Sequence, residues 1–456
     1  MSIKEILSNQ RKYFNTGQTF ALDFRLNALK TLKKSIRGHE KEILNALKSD
    51  LNKPAFEAYA TEIGTVLEEL NYALKHLPRW LRPKRAGTPI LHFKSSCYTI
   101  SEPYGIALIM SPWNYPFYLT LAPLIGSIAG GNCSVVKPSA YSPATSSIIA
   151  QILGECFESG FVSVIEGGRD ANQALLDETF NYIFFTGGIS VGKTVMAAAS
   201  RNLTPVTLEL GGKSPCIVDR EVNIDLAARR IVWGKFLNAG QTCVAPDYLL
   251  VHSQVKKQLI AGIRDYILKF YGKTPCENEE FPKIINDKHF KRIKGYLDHG
   301  EVIIGGHYNE QRLRMAPTVI DHISWDDPIM QEEIFGPILP ILEYSDISEV
   351  IQLVNARPKP LALYLFTTNK EVERKIIGRI SFGGGCINDT IVHLATSEMP
   401  FGGVGESGMG SYHGKWSFHT FTHTKSILKK SNLIDIKLRY PPYGNKLSLL
   451  KKLFRE

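Results

Sequence analysis

Between residues 105 and 210 the sequence alternates short apolar strands with helices, and this alternation constrains the fold more than any other feature. Glycine, proline or polar residues bound each apolar run, and segments of helical periodicity follow most of them. The predicted strands are residues 105–110, 133–136, 162–165, 182–185 and 206–210, and the predicted helices are residues 116–129, 144–157 and 188–200. Such an alternation predicts a doubly wound parallel sheet, which binds ligands at the carboxyl ends of its strands.

The flanking segments predict a second domain and a small protruding element. Residues 2–80 have helical periodicity, and a proline- and arginine-rich linker at 78–89 precedes a strand at 96–100. Gly211 and Gly212 interrupt the pattern like a hinge, and the alternation then resumes. The later predicted strands are residues 216–218, 248–251, 302–304, 318–320, 338–342 and 362–366. Because 456 residues exceed one ordinary core, we predict an α/β protein with two doubly wound, Rossmann-like domains.

Composition and cysteine usage restrict the class of protein. Seven cysteines are scattered without a C-x-x-C pair, which argues against a zinc site or a disulfide framework and indicates a reducing, cytoplasmic compartment. The net charge of +10 is not gathered into a basic stripe, so no nucleic-acid partner is expected. No apolar run reaches the ~18 residues of a membrane span, and the N-terminus lacks the pattern of a signal peptide.

The basic tail after residue 425 predicts a short amphipathic helix. Leu447, Leu449, Leu450 and Phe454 lie among lysines and other polar residues. Because one short helix binds membranes weakly, packing on the protein or on a partner subunit is favoured over contact with a membrane surface.

Two glycine-rich stretches match phosphate-binding motifs. Residues 403–408 fit G-x-G-x-x-G, but no buried strand precedes them and no helix follows, so we reject a dinucleotide fingerprint there. Residues 187–194 fit the P-loop pattern, follow the strand at 182–185 and open a helix. Asp219, after another strand, could serve as a Walker B residue. A nucleotide triphosphatase is therefore a serious alternative on local evidence.

Cys243 lies in a turn of small and polar residues, 237–244, between an apolar helical run and a strand. Gly240 permits a positive φ and close backbone approach. A thiolate in such a turn would be a nucleophile, whereas a lone cysteine is more often a small buried hydrophobe. The turn by itself leaves both roles open.

Seven blocks along the chain resemble the signature blocks of aldehyde dehydrogenases, in the family's order. They are Pro112–Pro116, Val135–Ser139, Phe185–Gly187, Leu208–Lys213, Gly240–Cys243, Glu333–Pro337 and Met399–Gly403. The compact N-terminus, Asp247–Tyr248 and residues 405–418 resemble the class-3 branch, which includes fatty and aromatic aldehyde enzymes. Several collinear blocks are more specific than one P-loop match, so Lys193 and Thr194 are interpreted as a coincidence within the family's dinucleotide loop.

The resemblance implies a mechanism of covalent catalysis. Cys243 would attack the aldehyde carbon, and Asn114 with the backbone N–H of Cys243 would stabilise the oxyanion. After oxidation to a thioester, Glu209 would activate water for hydrolysis to the acid. A CoA-acylating variant is the alternative within the family, and the presence of Glu209 favours water as the acyl acceptor.

The resemblance also implies NAD and/or NADP as the cofactor and no metal. The residues expected to bind it are Trp113, Lys137, Gly187, Gly188, Gly192, Leu210, Glu333 and Phe335. The family usually has serine where this chain has Gly188, so the phosphate loop of this chain lacks one hydroxyl group. Strict NAD enzymes often have glutamate where this chain has Ala140. Without a carboxylate to repel a 2′-phosphate, NADP is expected to be accepted as well as NAD.

The same resemblance divides the chain and suggests a homodimer. Residues 1–82 and 103–211 form the predicted NAD(P)-binding domain, and residues 212–415 form the catalytic domain. Residues 83–102 and 416–456 hold oligomerisation strands, near 94–101 and 418–428, and the tail. The expected substrate is a medium- or long-chain aliphatic or an aromatic aldehyde. Its candidate pocket walls are Tyr115, Tyr118 and Trp233, each equally plausible as a core residue.

Overall fold

The computed structural model describes residues 1–89 and 92–454, and it begins with a layer of helices. These helices are α1 (Ile3–Asn15), α2 (Leu22–Gly38), α3 (Glu40–Leu51), α4 (Ala55–Ala58) and α5 (Gly64–Trp80). A single turn of π-helix at Tyr59–Ile63, called the π-turn, joins α4 directly to α5. Pro78 lies inside α5, so the linker predicted from residue 78 begins only after Trp80. The helix tolerates the proline because Leu77 and Trp80 are buried and hold its last turn.

The predicted doubly wound sheet is present and has six strands. Two strands that belong to another sheet, β1 (Lys84–Ala86) and β2 (Ser95–Pro103), come first. The elements that follow in chain order are β3 (Ile106–Met110), α6 (Tyr118–Gly130), β4 (Cys133–Lys137), α7 (Pro143–Cys156), β5 (Val162–Val164), α8 (Arg169–Leu176), β6 (Tyr182–Thr186), α9 (Ile189–Ser200) and β7 (Val206–Glu209). The strands from β3 to β7 run parallel in the order β7-β6-β3-β4-β5. Every residue of β3, β4 and β6 is buried, as expected for strands covered by helices on both faces.

A second α/β unit follows the glycine pair and contains a seven-stranded sheet. Its elements are β8 (Pro215–Val218), α10 (Ile224–Phe236), β9 (Tyr248–His252), α11 (Ser253–Tyr271), α12 (Asp287–Lys294), β10 (Glu301–Ile304), β11 (Tyr308–Asn309), β12 (Arg314–Met315), β13 (Thr318–Asp321), α13 (Pro328–Gln331), β14 (Ile338–Tyr344), α14 (Ile347–Asn355), β15 (Ala362–Phe366), α15 (Lys370–Arg379) and β16 (Gly384–Ile387). The order is β10-β13-β14-β9-β8-β15-β16, with only β10 antiparallel to its neighbour. Strands β11 and β12 form a separate hairpin.

The remaining elements return to the first unit. They are β17 (Gly408–Met409), α16 (Gly414–Thr420), β18 (Thr422–Lys430) and α17 (Leu447–Leu453). β17 pairs antiparallel with β7 and becomes the sixth strand of the first sheet. The chain therefore crosses back to the first unit before residue 415, and the domain boundary at that residue stays a prediction. Residues 403–407 form a loop that leads into β17 and not into a helix, consistent with the rejected dinucleotide motif.

The segments predicted to form a protruding element form a separate antiparallel sheet of order β1-β2-β18. β2 and β18 are paired over nine residue pairs, from Thr422 opposite Pro103 to Lys430 opposite Ser95. The strand predicted from residue 418 starts later, because residues 418–420 end α16, where buried Phe418 packs against Trp80. Ile90 and Leu91, and the last two residues of the tail, lie outside the described residues.

The tail forms the predicted short helix, and it exposes apolar side chains. Leu447, Leu449 and Phe454 are 63%, 53% and 61% exposed. Within residues 1–89 and 92–454, none of the helices has the length and apolar character needed to cross a membrane.

Candidate active site

The loop that carries Cys243 connects α10 to β9 and is held in an unusual conformation. Asn238 and Ala239 both have a φ of 52°, which is uncommon for residues with a side chain. Gly240 has a φ of 74°, and a Cβ there would lie 2.2 Å from the carbonyl oxygen of Gly336. Glycine is therefore required at this position, both for the positive φ and for the close approach to Gly336. Such strain is frequent at functional sites.

Asn114 is tied to the cysteine loop by two hydrogen bonds, although the two segments are far apart in sequence. Its side-chain Nδ2 donates to the backbone carbonyl oxygen of Gln241 at 3.1 Å. The backbone carbonyl oxygen of Asn114 accepts a hydrogen bond from Asn238 Nδ2 at 2.8 Å. Asn114 is 2% exposed. Since an amide group carries two N–H donors, one remains available for a ligand near the cysteine.

Cys243 also lines an apolar cavity of about 200 Å³. The cavity is walled by aromatic and aliphatic side chains from the π-turn, α6, α10 and two late loops. Principal members are Tyr115, Tyr118, Leu119, Trp233, Phe401 and Tyr412. The three residues predicted as pocket walls thus all face it. The hydroxyl groups of Tyr115 and Thr242 share a 2.7 Å hydrogen bond, which leaves this wall with little polar character.

Two glutamates, buried Glu209 from the first unit and half-buried Glu333 from the second, lie close enough to Cys243 to affect its pKa. Glu209 ends β7, is 3% exposed, and neither of its carboxylate oxygens has a hydrogen-bond partner among the described residues. Glu333 lies against Gly211, where a Cβ would come within 2.0 Å of Oε2. Burial raises the pKa of Glu209 well above its usual value and raises the pKa of Glu333 to about 8. The carboxyl group of Glu333 therefore favours the protonated form near neutral pH.

Burial raises the pKa of the Cys243 thiol to about 12, with further contributions from Glu333 and Glu209. Backbone hydrogen bonds from Cys243 and Val244 act in the opposite direction. In the protein without ligands the thiol is therefore protonated at neutral pH, and any nucleophilic role requires that a proton be removed.

The rate of Cys243 alkylation by iodoacetamide is expected to rise about tenfold per pH unit from pH ~7 to ~9.5, because only the thiolate reacts and its pKa lies above this range. The measurement is the mass of the Cys243 peptide after timed quenching of the ligand-free protein. The Cys243→Ser variant supplies the background from other cysteines. A rate that levels off below pH ~8 would show that the thiol is far more acidic than its surroundings indicate.

A second cavity of about 400 Å³ lies between the two units, next to the start of α9. Its walls include Ile189, Gly211, Gly212, Lys213, Glu333 and Ser407. No side chain caps the N-terminus of α9, so its free N–H groups can attract phosphate. Ser111 and Thr186, at the ends of β3 and β6, have buried hydroxyl oxygens without partners among the described residues. Unsatisfied polar atoms at the carboxyl ends of parallel strands fit a dinucleotide.

The glycines of the 187–192 turn differ in what surrounds them. A Cβ on Gly188 would meet nothing within 4 Å, so the structure has room for the serine that is usual in the family. A Cβ on Gly192 would lie 2.6 Å from the Leu210 side chain, which shows that this glycine allows α9 to pack on Leu210. On Gly187 a Cβ would meet the ring of Phe185 at 2.5 Å.

The other predicted cofactor residues fall into two places. Trp113 and Phe335 are in edge-to-face contact, with ring centroids 5.3 Å apart, close to the Asn114 and Glu333 segments. Lys137 ends β4, is 3% exposed, and donates from Nζ to the carbonyl oxygen of Pro138 at 2.7 Å. Burial lowers the pKa of Lys137. Ala140, three residues further on, is exposed.

The P-loop alternative is wrong because its parts lie in different sheets. The loop follows β6 of the six-stranded sheet, whereas Asp219 follows β8 of the seven-stranded sheet. The carboxylate of Asp219 is buried and accepts a hydrogen bond from Thr367 at 2.7 Å. A Walker B aspartate must stand beside the P-loop to hold magnesium, so this arrangement does not form such a site.

Sequence reasoning missed several residues near the cysteine. Lys53 and Glu62 are both fully buried beneath the Asn114 loop, and His413, with a φ of 81°, lines the apolar cavity. Lys53 lies in the predicted break between two helices and Glu62 in a lysine-rich helical region, and charges are expected at the surface in both places. A clue for His413 was its place in the 405–418 block, which the resemblance had singled out.

Two largely parallel α/β sheets, with a cavity beside the uncapped N-terminus of α9 and an apolar cavity lined by a cysteine, are the arrangement of a two-domain, dinucleotide-dependent oxidoreductase. The chain belongs to the aldehyde dehydrogenase family, whose sequence model matches residues 1–427. It is an NAD(P)-dependent aldehyde dehydrogenase.

Individual relatives agree with this assignment over nearly the whole chain. The chain is 47% identical to the 4,4'-diaponeurosporen-aldehyde dehydrogenase of Staphylococcus aureus, covering 99% of both proteins. It is 43% identical to the dimeric NADP-preferring aldehyde dehydrogenase of Rattus norvegicus, covering 98% of this chain and 99% of that protein. A Staphylococcus aureus AldH structure in a substrate-bound state has a TM-score of 0.98 at 47% identity, covering 100% of both chains. Relatives named family 3 members confirm the class-3 resemblance.

Proposed function

We propose that Cys243 is the nucleophile that carries the substrate through oxidation. The Cys243 thiol first loses its proton to solvent. The thiolate sulfur then forms a bond to the aldehyde carbon, and the carbonyl π electrons move to the oxygen, giving a thiohemiacetal oxyanion. The free N–H of Asn114 and the backbone N–H of Cys243 stabilise that oxyanion. The single observation that carries this proposal is the position of Cys243 in the apolar cavity, with Asn114 bound to its loop.

Glu209 is the proposed general base for the second half of the reaction. When bound, NAD or NADP would supply the hydride acceptor that oxidation of the thiohemiacetal to a thioester requires. Glu209 then takes a proton from water, the water oxygen bonds to the acyl carbon, and the carbon–sulfur bond breaks to release the acid. Its carboxylate fits this task because it is buried beside the cysteine without a competing partner. The presence of this carboxylate also favours water over CoA as the molecule that accepts the acyl group.

We propose that the cofactor lies along the carboxyl edge of the six-stranded sheet. Gly187, Gly188 and Gly192 would shape the phosphate turn at α9, and Lys137 would hold the adenosine ribose or a phosphate. The nicotinamide end would contact Glu333, with Trp113, Leu210 and Phe335 nearby. The exposed Ala140 leaves space without negative charge for a 2′-phosphate, in agreement with an NADP-preferring relative.

The proposed substrates are medium- or long-chain aliphatic aldehydes or aromatic aldehydes. The apolar walls of the cavity can bury a hydrocarbon but offer few hydrogen bonds to a polar chain. The name of the Staphylococcus aureus relative specifies a diaponeurosporen aldehyde, and the apolar cavity of this chain suits an aldehyde with a hydrocarbon chain.

Lengthening a saturated aldehyde from three to eight carbons is expected to raise kcat/KM by about fourfold per CH₂ group, since each buried CH₂ contributes ~0.8 kcal/mol. The series is measured by the formation of reduced cofactor. An Ala395→Phe change, which fills the cavity, should flatten the dependence for the longer aldehydes. The same change at Ala261, exposed on α11, should leave it unaltered. Equal kcat/KM across the series in the unmodified enzyme would refute an apolar substrate site.

The proposed assembly is a homodimer in a reducing, cytoplasmic compartment. The sheet β1-β2-β18 has exposed strands that a second copy can cover. The relative from Rattus norvegicus is described as dimeric. No disulfide joins the seven cysteines, all of which lie in the described residues. The exposed apolar residues of α17 would pack on the partner subunit, which we favour over a membrane surface.

A further inference from the structure

A fully buried ion pair lies beneath the Asn114 loop and has no part in the mechanism described so far. Lys53 and Glu62 are both 0% exposed, and Lys53 Nζ lies 2.5 Å from Glu62 Oε1. The attraction of a buried pair often fails to offset the cost of removing both charges from water, so such a pair is weak evidence for stability alone. Its contacts indicate what it does.

Lys53 reaches the backbone of the proposed oxyanion donor. Its Nζ donates to the carbonyl oxygen of Asn114 at 2.9 Å and lies 3.9 Å from the centroid of the Tyr115 ring. Tyr115 in turn shares a hydrogen bond with Thr242, the residue before Cys243. One ammonium group therefore contacts both residues that connect α6 to the cysteine loop.

Glu62 fixes the other side of Lys53 and the start of α6. Its Oε2 accepts hydrogen bonds from the backbone N–H groups of Phe117 at 2.9 Å and Tyr118 at 3.1 Å. Glu62 belongs to the π-turn at Tyr59–Ile63, and such turns are frequent at functional sites. In this turn Glu62 is buried, while the neighbouring Ala60 and Thr61 line the substrate cavity.

A second donor completes the support of Asn114. Asn238 Nδ2 donates to the same carbonyl oxygen, and the backbone N–H of Asn238 donates to Glu57 Oε1 at 2.9 Å. Lys53 and Asn238 thus both donate to the backbone carbonyl oxygen of Asn114. Glu62 holds Lys53, and Glu57 holds Asn238. Hydrogen bonds of this kind set the orientation of a side chain that must meet a developing charge.

We propose that Lys53, held by Glu62, is a positioning residue that orients Asn114 toward the oxyanion formed at Cys243. This inference rests on the proposed function of Asn114. Lys53 touches neither the substrate nor the cysteine and acts only through Asn114 and Tyr115.

A double-mutant cycle of Lys53→Met with Asn114→Ala tests this positioning role. Each single change is expected to lower kcat by ~10²-fold, the usual effect of losing one oxyanion donor. The double variant should be about as active as Asn114→Ala alone, since Lys53 has nothing left to orient. If instead the two effects multiply, or if Lys53→Met changes KM without changing kcat, the positioning role is overturned. Full kcat in Asn114→Ala would overturn the role proposed for Asn114 itself.

Arg25 supplies a matched control for the loss of a buried cation. It is 2% exposed and donates to the carbonyl oxygen of Ala129 at 3.0 Å, at the opposite end of α6 from Lys53. Arg25→Met should leave kcat within about threefold, although it too removes a buried charge. If Arg25→Met lowers kcat as much as Lys53→Met, the effect is general destabilisation of α6 and the proposal fails.

Two further measurements keep the test decisive if Lys53→Met does not fold. Glu62→Gln preserves the volume but releases Lys53, and it should show the same lack of additivity with Asn114→Ala. Alkylation of Cys243 by iodoacetamide forms no oxyanion, so its rate should stay within about threefold in Glu62→Gln while kcat falls. An equal fall in both rates would show a collapsed site and overturn the proposal.

Discussion

Replacing Cys243 with alanine is expected to lower kcat for aldehyde oxidation by at least ~10⁴-fold, because alanine removes the atom that carries the substrate through both half-reactions. The other cavity walls are mainly aromatic and aliphatic, and the imidazole of His413 lies within hydrogen-bond distance of the Tyr118 hydroxyl, so it is a poor substitute for the thiol. The measurement is the steady-state formation of reduced cofactor with an aldehyde at saturation. Cofactor affinity, measured by fluorescence, should change little.

Another cysteine of the chain provides the control for this substitution. Cys97 lies on β2, in the separate antiparallel sheet, and is only partly buried. Cys97→Ala should keep kcat within about threefold, because it contacts neither cavity. Substantial turnover in Cys243→Ala, with a normal Cys97→Ala enzyme, would mean that oxidation does not pass through a covalent intermediate on Cys243.

Replacing Glu209 with glutamine is expected to lower the steady-state kcat by ~10²- to 10⁴-fold, the range for loss of a general base. Formation of the thioester does not need this base, so the first turnover should persist. Rapid mixing should then show a burst of about one reduced cofactor per site, followed by a slow phase. Burial raises the pKa of Glu209. In the unmodified enzyme, hydrolysis of the thioester should therefore accelerate as the pH rises and the carboxyl group ionises.

Glu333 is the necessary comparison, because both carboxylates raise the pKa of Cys243 and lie near it. Glu333→Gln is expected to weaken the use of the cofactor, raising its KM, without producing a burst. The opposite pattern, with a burst in Glu333→Gln and none in Glu209→Gln, would assign the base to Glu333.

The parts of the fold that the sequence predicted well are those with strong local patterns. The predicted strands at 105–110, 133–136 and 182–185 differ from β3, β4 and β6 by a residue at one end. Fully buried parallel strands have continuous apolar runs between turn residues, so their limits are visible without tertiary information. The family-like blocks likewise predicted that Asn114 would meet the cysteine loop.

The parts that escaped prediction depend on contacts between distant segments. β17 contains only Gly408 and Met409 and exists because it pairs with β7, about two hundred residues earlier. The burial of Lys53 and Glu62 depends on the π-turn and on the Asn114 loop, which helical periodicity does not reveal. A charged residue is most often exposed, so its burial can be found only once its partners are known.

The covalent role of Cys243 is tested most directly by the mass of the acyl-enzyme. Glu209→Gln protein is mixed with NAD or NADP and a saturated aldehyde, quenched in acid and digested. We expect the Cys243 peptide to gain the mass of the acyl group in nearly every site, with no such gain in the Cys243→Ala, Glu209→Gln double variant. Turnover without any adduct on the Cys243 peptide, or an adduct only on another cysteine, would contradict the mechanism.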